Sequence, residues 1–371
     1  QPGLSTFPMR DTWGISPDGR TVVGQDGQPP TKWSASTGIQ ILAAQGIGAA
    51  FAASADASII VGDLDDRPFR WTQATGLVLL PGAGGGGFTG AFGISADGKV
   101  IAGTTGGALA LFATIWDNGV QQIITTPWPG NSELRAISAD GKVVAGNTRS
   151  NGFLWSAAAG IVEIPRLPQQ PGSSPGAVLP GGLNADGTIV AGARESTPLG
   201  GWMLFRWTPG QPVENIPNLA GFFSCFVRGV SYDGKTIVGY GLTQLGMYRA
   251  FIWKEGRGTM LLTDYLTELG VAMPPGTVLY NAYGVSASGL VIAGEGNRPG
   301  MDFSYRVELP CPANCDGSTA PPVLNVSDFI CFLNKFAAGQ SSANCDASTT
   351  PPTLNIADFV CFQTRFAAGC P

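Results

Sequence analysis

Seven cysteines, 26 carboxylates and not one histidine bound the chemistry open to this 371-residue chain. Six of the cysteines (Cys311, Cys315, Cys331, Cys345, Cys361 and Cys370) crowd the last 61 residues, the density of a small disulfide-stapled module in an oxidising compartment. Cys225 is separate, in the apolar run Gly221-Phe222-Phe223-Ser224-Cys225-Phe226, and reads as a buried thiol rather than a reactive one. Without histidine there is no imidazole base, no imidazole metal ligand and no Ser-His-Asp or Cys-His arrangement. No local pair of acids announces general acid–base work; Glu195, Glu214, Glu295 and Asp302 are the carboxylates to inspect in a hydrolase or lyase reading. No catalytic residue is assigned, and the expectation is that the chain is not an enzyme.

The elements that carry these residues repeat. Ser-x-Asp-Gly recurs at Ser16/Asp18, Ser54/Asp56, Ser95/Asp97, Ser138/Asp140, Asn184/Asp186, Ser231/Asp233 and, with the acid lost, Ser286/Ser288; first positions are 38, 41, 43, 46, 47 and 55 residues apart. Each turn leads to a glycine (Gly24, Gly62, Gly103, Gly146, Gly192, Gly239, Gly294), and Trp33, Trp71, Trp116, Trp155, Trp207 and Trp253 mark the next strand. Four short strands per unit at a period near 40 predict an all-β fold, a seven-bladed β-propeller. The last unit lacks a fourth strand, while Leu4 to Met9 is a surplus strand at the other end. That piece is expected to pair with Phe303 to Val307 and close the ring, since an open edge invites aggregation. The repeated aspartates could hold calcium or a ligand, but turn chemistry alone explains them, and packing alone explains the tryptophans.

Only 13% of residues are charged, the net charge is −5, and Lys and Arg are scattered, so no basic nucleic-acid face is expected. No apolar run is long enough for a transmembrane helix. Gln1 suits a terminus left by signal cleavage, and with the cysteines points outside the cell. Three connections are long. Residues 82–90 are Gly-rich; 165–182 are rich in Pro, Gly and Ser and should cross one face; 263–269 have helical spacing and stop at Gly270.

After Pro310 two near-copies follow, 30 residues apart, each with a Cys, an Asp, a helix-capping Asn (Asn325, Asn355) and an Asp three residues on (Asp328, Asp358). Phe329, Phe332, Leu333 and Phe336 form one apolar face, matched by Phe359, Phe362 and Phe366. The matched 16-residue spacing favours Cys315–Cys331 and Cys345–Cys361, leaving Cys311–Cys370, among the several connectivities that six cysteines allow.

Two resemblances cover the chain. The pattern of Gly93 to Gly103, with Ala250-Phe251-Ile252-Trp253 and the insert Leu262 to Leu269, resembles the HAF family of extracellular repeats over residues 1–309; it departs at Ser288 and at Ala57, which replaces the turn Gly. Residues 310–371 are similar to the dockerin family, in its Cys-bearing planctomycete variant, whose paired loop–helix units clip a protein onto a partner. That resemblance implies calcium ligands at Asp316, Ser318, Asn325 and Asp328, and at Asp346, Ser348, Asn355 and Asp358, although the loop from Asp316 to Asp328 is one residue longer than the family's. Helix capping with disulfides in place of the ion is the alternative.

The leading reading is a secreted structural or assembly protein: a rigid propeller linked through its tail to a neighbouring copy, as in a filament, or to another surface protein. The alternative is a carbohydrate-binding propeller tethered by the tail, which would show aromatics exposed on one face with Asn and Asp beside them.

Overall fold

The structure, a computed structural model, describes residues 3–82, 89–107, 109–166, 176–196, 200–311, 313–318, 324–345 and 351–368. Its strands form seven four-stranded antiparallel sheets arranged as the blades of a propeller. The first strand of each blade is innermost: Asp11–Ile15, Gly48–Ala53, Gly90–Ile94, Ser132–Ile137, Val178–Leu183, Phe222–Val230 and Val278–Val285. Each touches the innermost strand of the next blade, and the seventh touches the first.

Blade 7 is completed by the other end of the chain. Gly3–Phe7 is its outermost strand, antiparallel to Met301–Glu308, with Leu4 opposite Val307 and Phe7 opposite Ser304. The ladder stops at Phe7 because Pro8 has no amide hydrogen to give it. Met9 instead turns inward, 1% exposed, to pack with Val22 and Ala293 between blades 1 and 7.

The Asp-Gly turns are built alike. In blade 3 the Ser95 hydroxyl donates to Asp97 Oδ1 (2.7 Å) and accepts from the Val100 amide (3.0 Å), while Asp97 also accepts from the Lys99 amide (3.1 Å). Gly98 takes the positive φ, 74°, that closes the hairpin. Blade 5 substitutes Asn184 and Thr188 for the serine, and blade 7 substitutes Ser288 for the aspartate. The residue after each Ser donates its amide to the same position one blade on: Ala55 to Ala96, Ala96 to Ala139, Ala139 to Ala185, Ala185 to Tyr232, Tyr232 to Ala287, Ala287 to Pro17. This belt of backbone bonds runs round the turn face and breaks only where Pro17 has no N–H.

Apolar packing lies between blades. Phe69, Phe153, Phe205 and Phe251 are fully buried on third strands, and of the six repeated tryptophans five are buried and Trp155 half-buried. The repeated glycine is a close-approach position. A Cβ on Gly146 would fall 2.3 Å from the Glu133 carbonyl oxygen and 2.8 Å from the Phe153 ring. Helix α1 (Leu262–Glu268) buries Leu262, Tyr265 and Leu266 against blades 6 and 7, and Gly270 follows at φ 72°.

The connection expected over 165–182 is shorter than that. Val178–Leu183 is the innermost strand of blade 5, its Pro180 standing where the ladder is about to skip a residue. Residues 83–88 and 167–175 of the long connections lie outside the described residues.

Beyond the ring, α2 (Val326–Ala337) and α3 (Ile356–Ala368) pack through Phe332 and Phe362, stacked at 4.2 Å, and Phe329 against Phe359. Disulfides join Cys315 to Cys331 and Cys345 to Cys361, each tying a loop to its helix. Cys370 lies outside the described residues. Arg365 of α3 comes near enough to Lys254 and Tyr265 of the ring to act on both electrostatically.

A candidate ligand site in the central channel

Every innermost strand contains a β-bulge, and at the same place. The register of pairing skips one residue between Thr12 and Gly14, Ala50 and Ala52, Ala91 and Gly93, Leu134 and Ala136, Pro180 and Gly182, Val227 and Gly229, and Ala282 and Gly284. The skipped residues are Trp13, Phe51, Phe92, Arg135, Gly181, Arg228 and Tyr283. A bulge frees a residue from the ladder and re-aims its side chain. The residue after each is Gly or Ala, because neighbouring strands crowd there; a Cβ on Gly14 would lie 2.4 Å from the Phe51 carbonyl oxygen.

These seven positions form a ring about the axis with two unlike arcs. Tyr283, Trp13, Phe51 and Phe92 come from four consecutive blades, and their rings meet in sequence: 5.4 Å from Tyr283 to Trp13, 5.7 Å to Phe51, then 5.0 Å to Phe92. Trp13 is 36% exposed, a large apolar surface left to solvent. The remaining arc is Arg135, Gly181 and Arg228. Arg228 stacks 5.6 Å from Tyr283 and 5.3 Å from Tyr240, so it joins the aromatic arc to a second run, Tyr240 to Phe226 (5.3 Å) to Trp202 (5.6 Å).

The residue after each repeated glycine supplies a second tier: Gln25, Asp63, Thr104, Asn147, Ala193, Tyr240 and Glu295. Asn147 accepts from Arg135 Nε (2.7 Å), and Glu133 accepts from its Nη2 (2.8 Å). Glu295 is 7% exposed, with Oε1 accepting from the Thr12 amide (2.9 Å) and Oε2 from Asn281 Nδ2 (3.3 Å), which also reaches the Tyr283 hydroxyl. Burial pushes Glu295 up to about 7 despite those bonds. Asp63, its counterpart in blade 2, is raised to about 6 by burial while accepting from the Ala49 amide. The channel mouth thus offers stacking surface, two guanidinium groups, and carboxyls that change charge near neutrality.

Of the four carboxylates singled out from sequence, Glu295 alone belongs to this ring. Glu195 accepts from the Ala177 amide at the rim of blade 5, Glu214 pairs with Arg206 on an outermost strand, and Asp302 is exposed on the third strand of blade 7. Sequence reasoning missed the bulge residues. The signal for them was the residue three before each turn Ser or Asn, which is large or charged in six of the seven units and is followed each time by Gly or Ala.

The implied calcium ligands of the tail are engaged otherwise. Asp328, fully buried, accepts from the Asp316 amide with Oδ1 (3.2 Å) and from the Asn325 amide with Oδ2 (2.9 Å), completing a capping box on α2. Asn325 Oδ1 takes the Ser327 amide and Asp316 Oδ1 the Ser318 amide. Asp358 and Asn355 repeat the cap on α3, with Asp358 Oδ2 on the Asn355 amide and Asn355 Oδ1 on the Ala357 amide. Asp346 and Ser348 lie outside the described residues. These bonds to backbone amides are what the helix-capping alternative requires; a calcium ion would draw on six to eight oxygens of the same loops.

The chain matches no protein-family model and no curated protein. In fold it is similar to solved structures. One is an oligogalacturonate lyase in complex with manganese, 12% identical, with 83% of this chain and 91% of that one covered and a TM-score of 0.54. Another is the oligogalacturonate lyase of Vibrio parahaemolyticus, 10% identical, with 82% and 92% covered and a TM-score of 0.55. The likeness is one of fold, and places the chain in the propeller class. It also corrects the expectation that the chain is not an enzyme: both neighbours are enzymes on this architecture, so a propeller body argues nothing against catalysis, and that expectation is withdrawn.

Proposed function

We propose that the ring is a secreted carbohydrate-binding propeller and that the C-terminal module is its connector to another molecule, a second copy of the chain or a surface protein. One observation carries the binding reading: side chains freed by bulges in consecutive blades join into an aromatic arc at the one place where all seven blades converge. A sugar ring has an apolar face of C–H groups and a rim of hydroxyls. Trp13, Phe51, Phe92 and Tyr283 suit the face, and Asn281, Gln25, Asp63 and Glu295 suit the rim. The repeated tryptophans play no part, being taken up in packing.

The connector reading has its own support. Val326, Ile330 and Leu333 on α2, with Ile356 and Val360 on α3, leave an apolar stripe in water, Ile356 being 74% exposed. Copy-to-copy contact through such a stripe is heterologous and extends into a filament unless it closes.

The test is titration of the full chain with soluble oligosaccharides, followed by tryptophan fluorescence and calorimetry. Trp13→Ala should weaken binding by roughly tenfold or more, as loss of a central aromatic anchor does. Unchanged affinity in a Trp13→Ala/Phe51→Ala double variant would overturn the binding reading.

A further inference from the structure

We infer that the ligand is an acidic sugar chain, one of whose carboxylates is taken between Arg135 and Arg228 in the gap left by Gly181. The inference rests on the carbohydrate-binding reading and specifies it.

The gap is enforced by backbone. Gly181 occupies the bulge position between the two arginines, and a Cβ there would lie 2.4 Å from the Val227 carbonyl oxygen and 2.7 Å from the Val227 Cβ. No side chain can enter the ring from the bulge position of blade 5, so at that level nothing from the blade between them separates the two guanidinium groups. Arg228 is near enough to Arg135 to act on it electrostatically. Both reach solvent, the Arg135 side chain being 40% exposed.

Charge is left over in this arc. Glu133 pairs with Arg135 at 2.8 Å, and Asn147 orients the same guanidinium without neutralising it. Arg228 is held by the rings of Tyr240 and Tyr283, and among the described residues it has no carboxylate partner. Two like charges with one counter-charge, fixed in place by stacking and a neutral amide, favour a bound anion. A planar carboxylate matches the fork of guanidinium donors, and Arg228 sits where the charged and aromatic arcs meet. A uronate ring can therefore stack on the aromatic arc while its carboxylate reaches the arginines, which a neutral sugar or a small free anion cannot do.

The experiment compares three hexasaccharides on the full chain by calorimetry: a galacturonate hexamer, its methyl ester, in which the charge is gone and the sugar retained, and a sulfated neutral hexamer. The acid form should bind at least about tenfold tighter than the ester, with a preference that shrinks as salt is added. Arg228→Gln and Arg135→Gln should each reduce that preference, while Trp13→Ala weakens acid and ester together. Equal binding of acid and ester overturns this inference and leaves the carbohydrate reading standing. A sulfated chain that binds tighter than the uronate overturns the carboxylate assignment. Failure of all three sugars to bind overturns both. Circular dichroism of each variant separates a lost contact from a lost fold, and since both arginines reach solvent the fold should persist.

Discussion

The two faces of the ring are made by the same strands, yet their acids are shifted in opposite directions. On the turn face hydrogen bonds from neighbouring hydroxyls and amides pull Asp56, Asp97 and Asp186 down, Asp97 to about 2. At the channel mouth burial pushes Asp63 and Glu295 up, to about 6 and about 7. The first set repeats from blade to blade and each member closes a hairpin; the second occurs in two blades and closes nothing. Sameness around the ring marks what the fold requires of every blade. The bulge ring, where the seven blades carry five residue types, marks what a ligand would require of the whole.

The largest expected effect sharpens that contrast through pH. Glu295 ionises ordinarily at 4.5 and here at about 7, so the folded chain holds its proton more tightly than the unfolded one. Its contribution is full below about pH 4.5 and is lost as pH rises through 7, a change on the order of 3 kcal/mol. Asp63 acts in the same sense over a slightly lower range. Asp97 titrates below this window and Lys254, lowered to about 8 by burial, above it, so urea unfolding between pH 5 and pH 7 isolates the mouth. Stability should fall across that interval in the native chain and fall less in Glu295→Gln, whose amide oxygen can still accept from Thr12. A slope left intact by the substitution would show that Glu295 is not the group responsible.

On the turn face, Ser95→Ala removes the acceptor of the Val100 amide and the hydroxyl that holds Asp97. An amide left unsatisfied in that position costs about 1–3 kcal/mol. Two readouts should move together: the unfolding midpoint falls, and the Asp97 pKa, followed by carboxyl NMR, climbs back toward the ordinary range. A drop in stability with Asp97 still near 2 would mean that the Lys99 amide, not the serine, controls the acid.

What could be read in the sequence follows the same division. The seven units, the packing of the tryptophans and the closing strand at Leu4 are legible because each rests on a pattern repeated or conspicuously missing. The bulge ring is hidden, because one inserted residue per strand leaves the Ser-x-Asp-Gly spacing looking regular while shifting which side chain faces the axis. Aligned on the turn serine, the column three residues earlier reads Trp, Phe, Phe, Arg, Gly, Arg, Tyr; without geometry it passes for ordinary strand filling. Glu295 is distinguished from Glu195, Glu214 and Asp302 only by burial, which no residue type states. In the tail, Asp328 and Asn325 have the same types and spacing whether they cap a helix or hold an ion, and only geometry shows the backbone amides that they accept. The amide belt is invisible for a simpler reason: it is made of backbone, and sequence records only its one defect.

That defect gives the smallest test. Six amides of the belt are bonded to the next blade, and the seventh is absent because residue 17 is proline. Pro17→Ala supplies an N–H facing the Ala55 carbonyl and removes a ring that restricts the unfolded chain. The new bond contributes about 0.5–1.5 kcal/mol, and the lost restriction costs about 0.4–1 kcal/mol. The two nearly cancel, so the melting point is a poor judge. Hydrogen exchange is a better one: the amide gained at position 17 should exchange as slowly as those of Ala55 and Ala96, because opening it requires blades 1 and 2 to part at the turn face. Should it exchange at the rate of a free loop amide, the belt is six separate bonds and not a ring, and the turn face owes its rigidity to the hairpins alone.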